Sequence, residues 1–304
     1  MTKTRRTGLL LALATAGISG VAVFLNGYGV KAFGNASVYT TAKNVVAAFV
    51  LLAVVSLGSR AGARVTRPQE PRQWLGLITV GVIGGSVPFL LFFEGLARAS
   101  SVQSAFIHKT LVVWVAVLAV LLLGERMSAF HWVAIALLVI GQIGLIGGVD
   151  TTVGSGELMI LGATLMWAAE VVVAKKLLAG LSSWTVGLAR MTIGSVILVA
   201  WVVARGQAGM LFSMDSAQWG WVLLTGVILA GYVGTWFGAL ARAQAVDVTA
   251  VLVLGALVTA ALQAVFLGTG MGPQLAWLAL LLGGGLLLAW RMWRAQDELT
   301  ALPA

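Results

Sequence analysis

The chain has 304 residues, of which 60% are hydrophobic and 10% are charged, and its mean hydropathy is +1.01. A soluble domain carries about 25% charged residues, so this chain has too few polar side chains to coat a soluble fold of its length. The absence of cysteine excludes disulfides and cysteine metal sites, and two histidines, His108 and His131, exclude a histidine-rich metal cluster. We therefore expect an integral helical membrane protein without metal or cofactor.

About ten apolar segments follow one another along the chain, each close to the roughly 20 residues that a membrane-spanning helix needs. The predicted spans are 7–27, 37–58, 73–96, 101–123, 129–148, 156–175, 183–204, 217–239, 246–268 and 274–292. The first span follows the basic sequence MTKTRR and resembles a signal peptide. Because many further spans come after it, we expect it to be retained as a helix.

The lysines and arginines between the spans are distributed unevenly. With the N-terminus inside, only Lys31, Arg98 and Arg205 fall on the outer side, and most of the others fall on the inner side. This asymmetry is typical of multi-pass proteins, whose inner loops are enriched in cations. It predicts a protein of the cytoplasmic membrane with both termini in the cytoplasm. It also accounts for the net charge of +9 without a nucleic acid partner.

The chain contains an internal repeat with a constant shift of 144 residues. The matches are LARAS at 96–100 with LARAQ at 240–244, LGE at 123–125 with LGT at 267–269, and Gly141 with Gly285. They divide the chain into two five-helix repeats, residues 1–150 and residues 151–304 with a short cytoplasmic tail. Because five is odd, the second repeat enters the membrane from the opposite side. Such inverted repeats are typical of alternating-access transporters.

Several of these stretches resemble the EamA branch of the drug/metabolite transporter superfamily. They are LARAS and LARAQ, LGERMSAFHWVAIALLVIGQIGLIGG at 123–148, and WAAEVVVAKKLL at 167–178. The resemblance covers nearly the whole chain and implies a ten-helix transporter, usually an exporter of amino acids, their derivatives or drug-like compounds. The chain departs from the family where Thr269 replaces the counterpart of Glu125. The fourth and ninth spans also lack a proline that is common in the family, and Lys109 or Thr110 stands near that position.

The stretch SAFIHKTLVVW places two polar residues, His108 and Lys109, inside the apolar fourth span. Lys109 is predicted about 12 Å below the outer surface, and a charge inside the bilayer is costly unless it faces a cavity or a partner. We expect it either to attract an anionic substrate group or to pair with an acid. His108 is a candidate proton carrier, or alternatively a hydrogen-bonded packing residue.

Three further charged residues lie within spans. Glu170, about 20 Å deep in the sixth span, is a candidate proton carrier or the partner of Lys109. The alternative for Glu170 is a structural ion pair with Lys109 or Arg190. Lys43 and Arg190 occupy similar positions in the two repeats, so we expect them to mark the outer and inner access routes. Anchoring to lipid phosphates is the alternative for both cations.

Other candidate residues lie closer to the ends of spans or are aromatic. Glu94 and Arg98 have the spacing of a helical ion pair, which is structural or acts as an outer gate. Aromatic residues within spans could form the apolar wall of a substrate site, although packing is the alternative for each. They are Trp114, Trp167, Tyr232 and Trp236. Glycines of the fifth span, at 141, 144, 147 and 148, indicate close helix packing or a homodimer contact.

These features predict a secondary active transporter that exports amino acids or other carboxylate-bearing metabolites by alternating access. Lys43, Lys109 and Arg190 outnumber Glu170 in the predicted interior, which favours an anionic substrate group. The predicted partners are the lipid bilayer, a small-molecule substrate and protons as coupling ion. A multidrug/proton antiporter is the main alternative, followed by a channel or an intramembrane enzyme that uses His108, Lys109 and Glu170. The chain has no Walker motif, so we expect no built-in ATPase.

Overall fold

The computed structural model describes residues 2–58, 62–96, 98–99, 104, 107–145, 154–268 and 272–294, and every regular element in these ranges is helical. The α-helices are α1 (Thr2–Phe33), α2 (Ala36–Gly58), α3 (Pro71–Ile83), α4 (Val87–Leu96), α5 (Leu111–Leu123), α6 (Ala129–Leu145), α7 (Ser155–Leu177), α8 (Ser183–Ala204), α9 (Ala208–Phe212), α10 (Ser216–Leu240), α11 (Ala245–Leu252), α12 (Gly255–Leu267) and α13 (Leu275–Arg294). A short 3-10 turn, Gly272–Gln274, precedes α13.

The described helices account for all ten predicted spans. Seven helical stretches within the described residues are long and apolar enough to cross a membrane. Three shorter apolar helices complete the set, namely Ile107–Leu123, Ala129–Leu145 and Leu275–Trp290. Large apolar side chains such as Phe49, Leu57 and Phe266 are exposed on the outside of the bundle. These faces suit lipid rather than water, and the predicted all-α membrane fold is confirmed.

Three spans are interrupted. In the third span, residues 84–86 form a tight turn between α3 and α4. The fourth span is interrupted at Thr110, whose hydroxyl donates to the Ile107 carbonyl at 2.6 Å, and the ninth is interrupted at 253–254. A shift of 144 residues places Thr110 on Leu254, so these last two breaks are equivalent. Irregular backbone is tolerated at membrane depth only where protein or a cavity surrounds it, so the breaks point to the interior of the bundle.

The backbone repeats with the same shift as the sequence. Gly124 ends α5 with φ 67°, and Gly268, 144 residues later, ends α12 with φ 64°. Gly62 and Gly206 form a second pair with the same separation, at φ 99° and 69°. Glycine adopts this left-handed conformation without the steric cost of a Cβ, which makes it the usual residue just beyond a helix end. At these two places the repeats therefore use equivalent left-handed glycines.

Contacts between loops show which helix ends lie together. At one end, Thr66 exchanges hydrogen bonds with Thr185, and Gly8 of α1 lies against Arg242. At the other end, Gln218 donates to the Ala32 carbonyl at 3.2 Å. The chain therefore crosses the bundle with each span, and its two five-span halves run in opposite directions. We call the end that holds Gly8 the N-terminal end, and the other the opposite end.

The glycines of the fifth span pack inside the chain. A Cβ on Gly141 or Gly144 would meet Trp277 of α13, and α6 and α13 lie against each other along their lengths. The part of the glycine cluster that the structure describes is therefore covered by the protein itself and does not form a dimer surface. The other two glycines of the cluster, at 147 and 148, lie outside the described residues.

Candidate functional site

The deepest acid of the predicted set is bound to an arginine. Arg190 Nε on α8 donates to Glu170 Oε1 on α7 at 2.7 Å, and the side chains are 7% and 4% exposed. Each residue lies seven positions from the end of its helix, about 10 Å from the N-terminal end of the bundle by the helical rise. Of the two partners that the sequence allowed for Glu170, Lys109 and Arg190, the structure has Arg190. Arg190 reaches the acid because α7 and α8 both pack against α3, at whose end the Gly84 carbonyl also binds the arginine.

The break in the third span supplies a second partner for Arg190. The turn at residues 84–86 frees the Gly84 carbonyl, which accepts from Arg190 Nη2 at 2.9 Å and from Trp167 Nε1 at 3.2 Å. A Cβ on Gly84 would collide with the Glu170 side chain, so a larger residue here would displace the carboxylate that binds Arg190. Three spans thus meet at one buried polar cluster, formed by an ion pair, an indole N–H and an unwound carbonyl.

Lys43 occupies the mirrored position near the opposite end. Its Nζ donates to Asn26 Oδ1 on α1 at 2.9 Å, and Tyr39 donates to the same oxygen at 2.7 Å. The shift of 144 residues places Asn26 on Glu170, and it places Lys43 one helical turn before Arg190. The two repeats therefore hold equivalent cation contacts, but only the second repeat supplies a carboxylate. Lys43 is 6% exposed, and within the described residues it forms no ion pair.

His108 and Trp167 belong to an aromatic cluster beside the third span. The His108 ring lies 5.0 Å from the Trp167 ring and 5.2 Å from the Phe92 ring, both in edge contacts. His108 Nδ1 is buried without a hydrogen-bond partner among the described residues. The cluster connects the fourth span to the Arg190–Glu170 pair through the Trp167 indole N–H.

Lys109 lines two small adjoining cavities between the fourth, fifth and ninth spans. The lining residues of the two cavities are His108, Lys109, Thr110, Leu111, Val112, Leu138, Val139, Gln142, Thr249, Leu252 and Val253. In the part of the chain that the structure describes, Lys109 forms no hydrogen bond and no ion pair. A cation facing a cavity without a protein partner is able to attract an anion.

The remaining aromatic candidates lie in two places, Trp114 at the break of the fourth span and the other two on α10. Trp114 donates its Nε1 proton to Thr110 Oγ1 at 3.0 Å, which supports the break of the fourth span. Tyr232 and Trp236 stack at 6.0 Å with an interplanar angle of 12°. The stack lies on α10, which packs against α8, the helix that carries Arg190.

Glu94 and Arg98 lie apart from these groups, at the opposite end. Arg98 Nη2 donates to Glu94 Oε2 at 3.1 Å, and the side chains are 52% and 36% exposed for Arg98 and Glu94. Arg98 also contacts Met159 of the second repeat. Exposed pairs of this kind contribute about 0–1 kcal/mol, so the pair has little capacity to hold a gate shut by itself.

A polar cluster at the N-terminal end was not among the sequence predictions. The Glu125 carboxylate accepts from the backbone N–H groups of Ala245 and Val246 at 2.7 and 3.2 Å, and so caps α11 across the repeats. Lys175 Nζ donates to the carbonyls of Leu240 and Ala243 at the end of α10. Both contacts match the charge preference of helix ends, and together they close the corner between α10 and α11.

The same corner contains a buried histidine–aspartate contact. His131 Nε2 on α6 lies 3.1 Å from Asp247 Oδ1 on α11. The Ser128 backbone N–H donates to His131 Nδ1 at 2.9 Å. Nδ1 is therefore the acceptor, and the proton sits on Nε2 and points at the carboxylate. The sequence signal was the acid Asp247 just inside the ninth span, directly after the repeated LARAQ stretch.

Comparison with known proteins gives consistent matches. The family described as "EamA-like transporter family" matches residues 6–147 and again residues 154–291. The "Uncharacterized transporter in cobO 3'region" of Sinorhizobium sp is 28% identical over 112 residues, which are 36% of this chain and 79% of that protein. A solved structure described only as "Crystal structure of protein" matches with a TM-score of 0.74 at 15% identity, covering 94% of this chain and 99% of its own. The last match shows a shared fold alone.

Proposed function

Because the chain belongs to the EamA-like transporter family, we propose that it is a secondary active transporter that exports small carboxylate-bearing metabolites, amino acids among them. Transport proceeds by alternating access, in which the two inverted halves rock about a central site. The membrane is the cytoplasmic membrane, and both termini lie in the cytoplasm. The excess of cations at the N-terminal end supports this orientation.

The observation that carries the proposed substrate class is the charge balance of the interior. The acid Glu170 is occupied by Arg190, whereas Lys43 and Lys109 have no acidic partner among the described residues. A buried cation without a counter-charge is costly, and an incoming carboxylate lowers that cost. A lipophilic cation would instead need an unpartnered acid, whereas the buried acids Glu170 and Asp247 are bound by Arg190 and His131. The antiporter of cationic drugs is therefore the less supported alternative.

Protons are the proposed coupling ion, and the Arg190–Glu170 pair is the proposed coupling site. A proton on Glu170 would remove the negative charge and weaken its contact with Arg190. Arg190 also holds the broken third span through the Gly84 carbonyl. Proton binding at the pair would therefore loosen α8 from α7 next to the break of the third span, which is the kind of change that rocking of the halves requires.

The test is metabolite profiling of cells and medium. Four strains are compared: empty cells, wild type, the double variant Lys43→Met/Lys109→Met, and the control Lys31→Met. Lys31 carries the same charge on an exposed surface of α1, so its removal leaves the interior unchanged. Carboxylate-bearing compounds are expected to accumulate in the medium of wild type and control alone, at equal membrane levels of all variants.

Other outcomes contradict parts of the proposal. Accumulation of cationic compounds in the medium would favour the antiporter. Equal profiles of wild type and the double variant would remove the interior lysines from the substrate site. Counterflow in liposomes with the compounds so identified separates a carrier from a channel, since only a carrier exchanges labelled for unlabelled substrate against a gradient. A chemically changed product would indicate an enzyme.

A further inference from the structure

The three interior cations differ in what holds them. Arg190 is bound by Glu170 and by the Gly84 carbonyl. Lys43 donates to Asn26 and lies 5.1 Å from the Tyr39 ring. Lys109 alone has neither a hydrogen bond nor an ion pair within the described residues. Of the three, Lys109 is therefore the cation with all of its donor capacity available to a ligand.

Gln142 on α6 adds a second free donor beside Lys109. Its side chain is 7% exposed, and its Nε2 atom is buried without a hydrogen-bond partner among the described residues. A buried amide N–H₂ group that donates to nothing costs free energy, and so needs an acceptor from outside the protein. Gln142 and Lys109 line the same cavity. Both side chains carry N–H donors without a partner among the described residues, so the group that would satisfy them is a hydrogen-bond acceptor, and the Lys109 charge favours an anionic one.

We propose that Lys109 and Gln142 form the subsite for the carboxylate of the transported compound, with Val112, Leu138, Val139 and Val253 as the wall for an aliphatic chain. A carboxylate has two oxygens that accept hydrogen bonds, one for the ammonium group and one for the amide. The lining residues of both cavities include no acid among the described residues. The ligand class is thus an aliphatic carboxylate, and this assignment rests on the proposed transport function.

The position of the subsite suits alternating access. It lies where the break of the fourth span at Thr110 faces the break of the ninth span at Val253. Each cavity has room for about one or two water molecules in this state. A carboxylate headgroup needs little more, and the broken helices are the elements that can separate to admit the rest of the ligand.

The test uses two probes of nearly the same shape, isovalerate and the uncharged isovaleramide. The thermal unfolding midpoint of the purified full-length protein in detergent is measured against probe concentration, each variant relative to its own ligand-free value. Isovalerate is expected to raise the midpoint of wild type, and isovaleramide is not. Lys109→Met and Gln142→Leu are expected to weaken the apparent affinity about 10- to 100-fold, the worth of a hydrogen bond to a charged group. Lys31→Met retains the wild-type response.

Several other results would overturn the subsite. Wild-type affinity in Lys109→Met and Gln142→Leu would show that the carboxylate binds elsewhere, and loss in Lys43→Met alone would move the site to Lys43 on α2. A wild type that responds to neither probe, or to both equally, contradicts a carboxylate site. If Lys109→Met is poorly folded, Lys109→Arg is measured in its place, because it keeps the charge and changes only the geometry of the donor. Transport of carboxylates that is unchanged in Lys109→Met leaves the proposed function standing without this subsite. Binding that depends on Lys109 in a protein that transports no carboxylate would support the subsite and contradict the proposed function.

Discussion

Arg190 Nε and Glu170 Oε1 lie 2.7 Å apart across α8 and α7, and both side chains are almost fully buried. This pair neutralises the deep acid and at the same time ties two spans of the second repeat to the broken third span of the first. The equivalent contact in the first repeat, Lys43 with Asn26, has a neutral acceptor. The inverted repeats are thus alike in geometry and unlike in charge.

Glu170→Gln and Arg190→Met are each expected to destabilise the protein by about 3–5 kcal/mol, because each leaves one buried charge uncompensated. The double variant is expected to lose less than the sum of the two, by about 0.5–3 kcal/mol, because it removes both charges. Denaturation midpoints in detergent measure all three. Strictly additive losses would mean that the pair is not coupled. Lys109→Met is the matched contrast, since removing an unpartnered cation should leave stability unchanged or raise it.

Gly85→Ala is expected to force α3 and α4 away from α8, because the new Cβ would collide with the Arg190 carbonyl oxygen. Overpacking of this kind costs about 1–3 kcal/mol, and here it also displaces the arginine that holds Glu170. The readout is the unfolding midpoint together with the transport rate. Gly220→Ala is the control, because a Cβ on this α10 glycine meets nothing within 4 Å and should stabilise the helix slightly. Equal midpoints for the two variants would refute the proposed close contact.

Glu125→Ala is expected to destabilise the protein by about 0.5–2 kcal/mol, because it removes the cap from the first N–H groups of α11. It should also loosen the N-terminal end, since the same contact joins the two repeats. Asp215→Ala removes the cap of α10, whose side chain accepts from the Gln218 N–H at 2.8 Å without crossing between repeats. We expect a similar loss of stability from both variants but a changed transport rate only from Glu125→Ala. If both variants changed the transport rate, the change would follow from lost stability and not from the contact between the repeats.

The proposed orientation is testable with single cysteines, because the natural chain contains none. Gln69 and Ser213 are exposed in loops at the N-terminal and opposite ends. In intact cells a membrane-impermeant maleimide is expected to label Ser213→Cys and to leave Gln69→Cys unlabelled until the membrane is permeabilised. The reverse pattern would place the termini outside. The cysteine-free parent reports background labelling.

Much of the fold was predictable because hydropathy and repetition are local properties of the chain. The predicted spans match the helices, and the shift of 144 residues reappears in the paired glycines Gly124 and Gly268. The site was predictable only in part. Lys109, Glu170 and Arg190 were recognisable as charges inside apolar spans, but the sequence left open whether Lys109 or Arg190 pairs with Glu170. Asp247 was overlooked because it lies just inside the start of a span, where a solvated charge is ordinary.

By itself, the sequence determined that the chain lies in a lipid bilayer, how many spans it has and that its two halves form an inverted repeat. These follow from length, from the cost of unsatisfied backbone in lipid and from an odd number of helices per repeat. Only the tertiary structure decided which charges meet. Partner choice depends on the angles at which helices pack and on where a span breaks, and these are set by contacts between residues far apart in the chain. Glu170 therefore pairs with Arg190, and Lys109 lines a cavity together with Gln142.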